Sequence, residues 1–199
     1  EDFIPSVLSS LEADGRLYVM APEFKLVTIV GSEGLLNADE DWNFTTMYEL
    51  LEKYSGAQLF AREKNSFELE RFLKYSMDLF YDKDTGECSF ESDDFINMLK
   101  LVQTLPDTYT SVPDDEINDK LKKKEVLLEN FDSMDIINVK MLDMHFDNIE
   151  KVYLGYPSKS HASAQLVFDN NMAMSAVSEN QAAAWEFMKY FLYVFRRDV

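Results

Sequence analysis

Apolar strands set between amphipathic helices predict an α/β fold for this chain of 199 residues. Three observations carry that expectation. Leu26–Val30 (LVTIV) is apolar and mostly β-branched, as a buried strand requires. Val126–Asn130 reads as a second strand. Between them, apolar residues recur at helical spacing in several segments, two of which carry capping signals.

The elements follow in order. Ile4, Val7, Leu8 and Leu11 share one helical face, with Pro5 near its start and Gly15 beyond its end. Arg16–Ala21 reads as a strand, and Gly31–Asp41 as a loop after the LVTIV run. Thr46 and Glu49 form a T-x-x-E capping box for a helix that stops at Ser55-Gly56. A helix over about Ser66–Phe80 carries Leu69, Phe72, Leu73, Met77 and Phe80. Asp82–Cys88 is a polar turn. Ser92 caps a helix with Phe95, Leu99 and Val102 as its buried stripe, ending before Pro106.

Asp107–Pro113 is a loop and Asp114–Lys124 a charged helix. After Val126–Asn130, Phe131-Asp132-Ser133 turns into a helix bearing Ile137, Met141 and Met144 on one face. Val152–Leu154 is a strand, followed by the turn Gly155-Tyr156-Pro157. Gln165–Phe168 and Met172–Val177 read as strands. Ser178 and Gln181 make a second capping box, and the last helix buries Ala184, Phe187, Met188, Phe191 and Phe195.

A net charge of −18 excludes nucleic acid as a partner, because phosphate binding needs clustered Lys and Arg. The one basic run, Lys122–Lys124, lies beside acidic residues and reads as a solvated helix face. No apolar run approaches the roughly 20 residues of a membrane-spanning helix. The single cysteine, Cys88, permits no intrachain disulfide; its acidic neighbours disfavour a thiolate, so a buried structural role is expected.

Few constellations suggest chemistry. DKDTGE at Asp82–Glu87 has its glycine one position early for an EF-hand loop. His145 and His161 lack metal-ligand spacing, so neither a metal nor a cofactor is expected. With 37 Asp and Glu residues, a carboxylate pair for glycoside hydrolysis stays open as an alternative, as does a non-catalytic interaction module. Loop aromatics are better binding candidates than helical ones: Phe24 after Pro22, Phe131 before Asp132, and Tyr156 before Pro157. A ring there can stack on the apolar face of a sugar while Asp or Asn accepts its hydroxyls.

Several segments carry a family resemblance. From Gly155 to Leu192, GYPSKSHASAQLVFDNNMAMSAVSENQAAAWEFMKYFL is similar to the return segment of extracellular solute-binding proteins (family 1, sugar type) of bacterial ABC importers. DGRLYVMAP (Asp14–Pro22) resembles the strand by which those proteins pass from the first lobe to the second. Trp42–Glu49 resembles their Trp-Thr-x-x-Glu helix start, with two extra residues before Thr46. GECSFESDDF (Gly86–Phe95), LKKKEVLLENFDSMD and SENQAAAWEFMKYFL resemble further segments in the same order. The loop Lys159-Ser160-His161-Ala162 departs from the family's Gly-rich stretch.

The resemblance implies a periplasmic-binding-protein-like (type II) fragment covering most of the second lobe and the return segment of the first. Its expected divisions are residues 1–23 (first-lobe end and crossover), 24–150 (second lobe) and 151–199 (return segment). It implies a substrate-binding component, not an enzyme, that takes a sugar or similar small solute in an interlobe cleft by hinge closure. ABC permease subunits are the implied partners. The implied location is extracellular, on a Gram-positive cell surface, with membrane attachment only through a lipid anchor absent from this sequence. Phe24, Asp132, Ser133 and Tyr156 are the expected ligand contacts, with Asp132 or Ser133 capping the helix that follows.

Overall fold

The computed structural model describes residues 4–36, 41–133 and 136–197. In chain order its elements begin with α1 (Pro5–Ser9), β1 (Glu12–Ala13), β2 (Arg16–Leu17), β3 (Glu23–Ser32) and α2 (Phe44–Lys53). Next come β4 (Gln58–Phe60), β5 (Arg62–Glu63), α3 (Asn65–Ser76), a 3-10 turn at Met77–Leu79, α4 (Asp93–Thr104) and β6 (Thr110–Ser111). The remainder is α5 (Asp114–Lys123), β7 (Val126–Ser133), α6 (Ile136–His145), β8 (Lys151–Tyr153), β9 (Gln165–Asp169) and α7 (Gln181–Arg197). Two compact units result: Leu26–Gln165, and Glu1–Lys25 together with Leu166–Val199.

The larger unit is built on a mixed sheet of order β4-β7-β3-β8. β7 lies antiparallel to β3, from Leu26↔Ser133 to Gly31↔Leu128, and parallel to β4. Directly opposed residues share a sheet face. Ile29 and Asn130 therefore lie on one face, and Val30 and Glu129 on the other. On the first side, Phe72 of α3 meets Phe44 of α2 edge-on at 5.0 Å and packs near Phe60 of β4. On the second, Val30 joins Ile117 and Leu121 of α5, Leu142 of α6 and Phe146 in a second core, with Phe131 packed against it.

The strand at Leu26–Val30 is present and longer than expected; Val27–Val30 are buried, whereas Leu26 is exposed. β7 is also longer: Phe131, Asp132 and Ser133 continue the strand because each pairs with β3, where the sequence suggested a turn. The start of α2 is corrected as well. Asn43, not Thr46, is the N-cap: its Oδ1 accepts from Thr46 N at 2.9 Å, and Thr46 Oγ1 accepts from Asn43 N at 2.9 Å. Asn is the equal of any N-cap residue, so the reciprocal pair closes one turn earlier.

α4 forms with Ser92 as its cap, but its buried stripe is Met98, Leu101 and Val102, while Leu99 is exposed. Two bonds at its N-terminus set that rotation. Thr45 N donates to Asp94 Oδ1, and Asn97 Nδ2 donates to Thr45 Oγ1 at 3.0 Å. α6 turns Ile137 and Met144 outward and buries Leu142 and His145. Asn118 of α5 fixes it there by donating to the carbonyls of His145 and Asp147. Cys88 is exposed, because its backbone bridges Tyr81 across the polar turn and leaves the thiol outside.

In the smaller unit, β1 and β2 form a hairpin around Asp14-Gly15, both with positive φ. Only Leu17 and its neighbour Arg16 are in β2; Met20 makes a single bridge to Met172. Met172–Val177 is otherwise not a strand. α7 begins at Gln181, where Ala184 N donates to Asn180 O; Ser178 Oγ instead accepts from Asn180 N in a local turn. Met188 is buried, whereas Phe187 is exposed along with Trp185, Tyr190 and Tyr193. The helix is aromatic around most of its circumference, so periodicity alone could not select the covered face. The Phe195 side chain lies outside the described residues.

Candidate ligand-binding site

α3 places Glu68, Phe72 and Tyr75 on one face, at positions i, i+4 and i+7. Glu68 is fully buried. Its Oε1 accepts from Arg71 Nη1 at 2.7 Å, and its Oε2 accepts from Asn130 Nδ2 at 3.0 Å. The other end of that amide, Asn130 Oδ1, accepts from the Tyr156 hydroxyl at 2.8 Å. A continuous chain Arg71–Glu68–Asn130–Tyr156 thus ties α3 to β7 and to the segment after β8. Both ends of the Asn130 amide have a suitable partner, which defines its orientation.

The turn that delivers Tyr156 depends on Gly155. Its φ of +72° lies in the left-handed region, and a Cβ there would stand 2.0 Å from the Ala162 carbonyl oxygen. Trp42 Nε1 donates to the Gly155 carbonyl at 2.8 Å. Downstream, Thr28 Oγ1 donates to Ser163 O at 2.6 Å and Gln165 Nε2 to Tyr75 O at 2.8 Å. The whole stretch from Gly155 to Gln165 is therefore tied to the sheet and to α3.

Electrostatics link the network to Asp132. Burial pushes the Tyr156 hydroxyl far above its usual range; Arg71 opposes this, while Glu68, Tyr75 and Asp132 add to it. Burial likewise raises Glu68 against the pull of Arg71 and Asn130. Asp132 is exposed and shares the Asn130 face of β7 by strand alternation. The accessible part of the cluster is the Asp132 carboxylate together with the Arg71 guanidinium, whose side chain is 38% exposed. Carboxylate acceptors and planar N–H donors are the groups that hydroxyl-rich, uncharged molecules use.

Of the expected contacts, Tyr156 is in this network, and Asp132 acts on it electrostatically from the same face of β7. Tyr156 is 2% exposed, its ring 4.8 Å from that of Tyr75 and 6.4 Å from that of Phe72. It offers no open face for stacking, and what it presents is a hydroxyl to Asn130. Ser133 ends β7, buried on the opposite face from Asp132. Asp132 and Ser133 are the last two residues of β7, and the expected cap falls at a junction whose residues 134–135 lie outside the described residues. Phe24 is half-buried and belongs to the smaller unit. Arg71, Glu68, Tyr75 and Asn130 were missed. The legible signal was Glu68, a carboxylate on the apolar stripe of Phe72 and Tyr75.

No family model matches the chain, and no curated protein matches it in sequence. Solved structures do. The sugar-binding protein MalE from Xanthomonas citri is similar over 96% of this chain and 52% of its own, at 12% identity and a TM-score of 0.50. An ABC substrate-binding protein from Listeria monocytogenes, in complex with cycloalternan, is similar over 95% of this chain and 51% of its own, at 14% identity and a TM-score of 0.45. Maltose-bound MalE3 from T. maritima gives 96% and 54%, at 13% identity and a TM-score of 0.46. The chain spans about half the length of these proteins. The mixed α/β fold seen here is thus that of about half of a periplasmic-binding-protein-like (type II) sugar-binding protein.

Proposed function

We propose that this chain is part of the substrate-binding component of an ABC importer, which binds a carbohydrate or similar small solute between two lobes and releases it unchanged. The observation that carries this reading is the fold shared with the sugar-binding protein MalE. The two units add support, because the chain passes between them at 25/26 and again at 165/166. Two linked units are what hinge closure needs: a ligand touching both stabilises the closed arrangement over the open one.

On the larger unit, Asp132 and Arg71 are the proposed hydroxyl contacts, with Ser133 at the strand end. Tyr156 and Asn130 hold that surface in place. Phe24 is the proposed aromatic contact from the smaller unit. The permease is the proposed partner, and an extracellular lipoprotein the proposed setting of the whole protein.

The test is a thermal-shift and calorimetric panel of neutral mono- and oligosaccharides, with maltose and maltotetraose included. A ligand held at 100 times its Kd stabilises by about 2.7 kcal/mol. The expected result is a raised Tm with one sugar class, loss of that shift in Asp132→Ala, and no new reducing ends. A panel without any shift, or release of reducing ends from an oligosaccharide, overturns the reading.

A further inference from the structure

The opposite face of β7 carries a second polar cluster, unrelated to the network around Asp132. The Glu129 side chain is 6% exposed and that of His145, in the last turn of α6, 5%. His145 Nδ1 lies 3.6 Å from Glu129 Oε1, and Nε2 lies 3.4 Å from Asp114 Oδ1. Asp114 opens α5 and pairs with Arg62 of β5. Neither Glu129 Oε1 nor His145 Nε2 makes a hydrogen bond. Four elements therefore meet at one imidazole.

A ring placed between two carboxyls has a proton requirement. Neutral imidazole carries one N–H. If Nε2 donates to Asp114, the Nδ1 lone pair faces Glu129. If Nδ1 donates to Glu129, the Nε2 lone pair faces Asp114. Either way a lone pair confronts a carboxylate oxygen. One additional proton removes the conflict, whether it rides on Glu129 or on Nδ1, and lets both contacts shorten by the few tenths of an ångström that separate them from hydrogen bonds.

We propose that Glu129 and His145 share one buried proton that pins α6 to β7 and α5, and that this seam loosens when the proton leaves. The inference does not depend on what the protein binds. The shifts agree with it. Burial pushes Glu129 up to about 7, with Arg62 opposing and Asp114 adding. Burial pushes His145 down, with Asp114 opposing and Arg62 adding. Asp114 and Arg62 are the charged groups that act on both.

In the unfolded chain the pair titrates near 4.5 and 6.5. Between those values folded and unfolded pairs each hold one proton, and the contribution is flat. Above about 6.5 the unfolded pair releases its proton while the folded pair retains it, so stability falls as pH rises through the folded value.

Imidazole-nitrogen NMR of the full chain tests this directly, because only His145 and His161 carry that ring. The expected result is a proton step sensed at the His145 ring at or above about 7, the value to which burial pushes the Glu129 end of the pair, displaced downward by about one pH unit or more in Glu129→Gln, which can donate to Nδ1 without the extra proton. Exchange of α6 amides, corrected for intrinsic base catalysis, should rise about threefold between about pH 6 and about pH 8.5 in the natural chain and not rise in Glu129→Gln. A His145 step at or below the ordinary imidazole value of about 6.5, or equal acceleration in both proteins, overturns the proposal. Should Glu129→Gln fail to fold, His145→Gln serves for exchange, and the titration of the natural chain decides alone.

Discussion

Replacing Glu68 with leucine tests whether the polar network is a structural unit. The substitution keeps the side chain's approximate size and removes both acceptors. Asn130 Nδ2 then loses its 3.0 Å partner on the sheet side, and a buried donor left without a partner costs about 1–3 kcal/mol. Arg71 loses its 2.7 Å partner too, but its side chain is 38% exposed and water replaces the contact, so that loss adds about 0–1 kcal/mol. Against this, burial raises Glu68, which means the buried carboxylate is itself unfavourable. Leucine relieves that penalty, and the expected net loss is about 1–3 kcal/mol.

Urea unfolding followed by tryptophan fluorescence measures it. Trp42 lies in the larger unit and Trp185 in the smaller, so a Trp185→Phe background reports the larger unit alone. Asn130→Ala, made alone and on Glu68→Leu, completes a double-mutant cycle with an expected coupling of about 1 kcal/mol or more. If Glu68→Leu is as stable as the parent and the cycle shows no coupling, the network does not act as a unit, and its use to hold Asp132 fails with it.

Three further outcomes follow from the geometry. Gly155→Ala should destabilise the larger unit by about 2 kcal/mol or more, since positive φ and a carbonyl 2.0 Å from the new Cβ act together; the urea midpoint reads it. Asn43→Ala should cost about 1 kcal/mol and Glu49→Ala under about 0.5 kcal/mol, because the box is Asn43–Thr46; the reverse order would restore the T-x-x-E reading. Burial also raises Glu63, so its contribution is present below 4.5 and is lost as pH rises through the folded value. A plot of Tm against pH should accordingly fall less steeply above pH 4.5 in Glu63→Gln, and an unchanged slope would contradict it.

Much of the candidate site was legible as residue types and little of it as geometry. Asp132 and Tyr156 were singled out because an acid and an aromatic flank chain reversals. The structure puts Asp132 within electrostatic reach of Tyr156, but gives the aromatic a buried hydroxyl role where stacking was expected. Asn130 was read only as the end of a strand; its amide matters because α3 and the segment after β8 arrive on the same sheet face. Cys88 shows the converse. Acidic neighbours argued for burial, and the β-bridge at Tyr81 leaves it outside.

The α/β class, the two long strands and the existence of α2, α3, α4, α5 and α7 were set by local physics, because apolar periodicity, β-branching and capping chemistry act over a few residues. Which face each helix turns inward was not. α4, α6 and α7 each carry more than one stripe apolar enough to bury, and the choice fell to distant partners such as Asp94 on Thr45 and Asn118 on the end of α6. The proton-bearing contact of His145 with Glu129 and the Arg71–Glu68–Asn130–Tyr156 chain likewise arise only on folding. Desolvation and pairing depend on neighbours many positions away, and no window of sequence contains them.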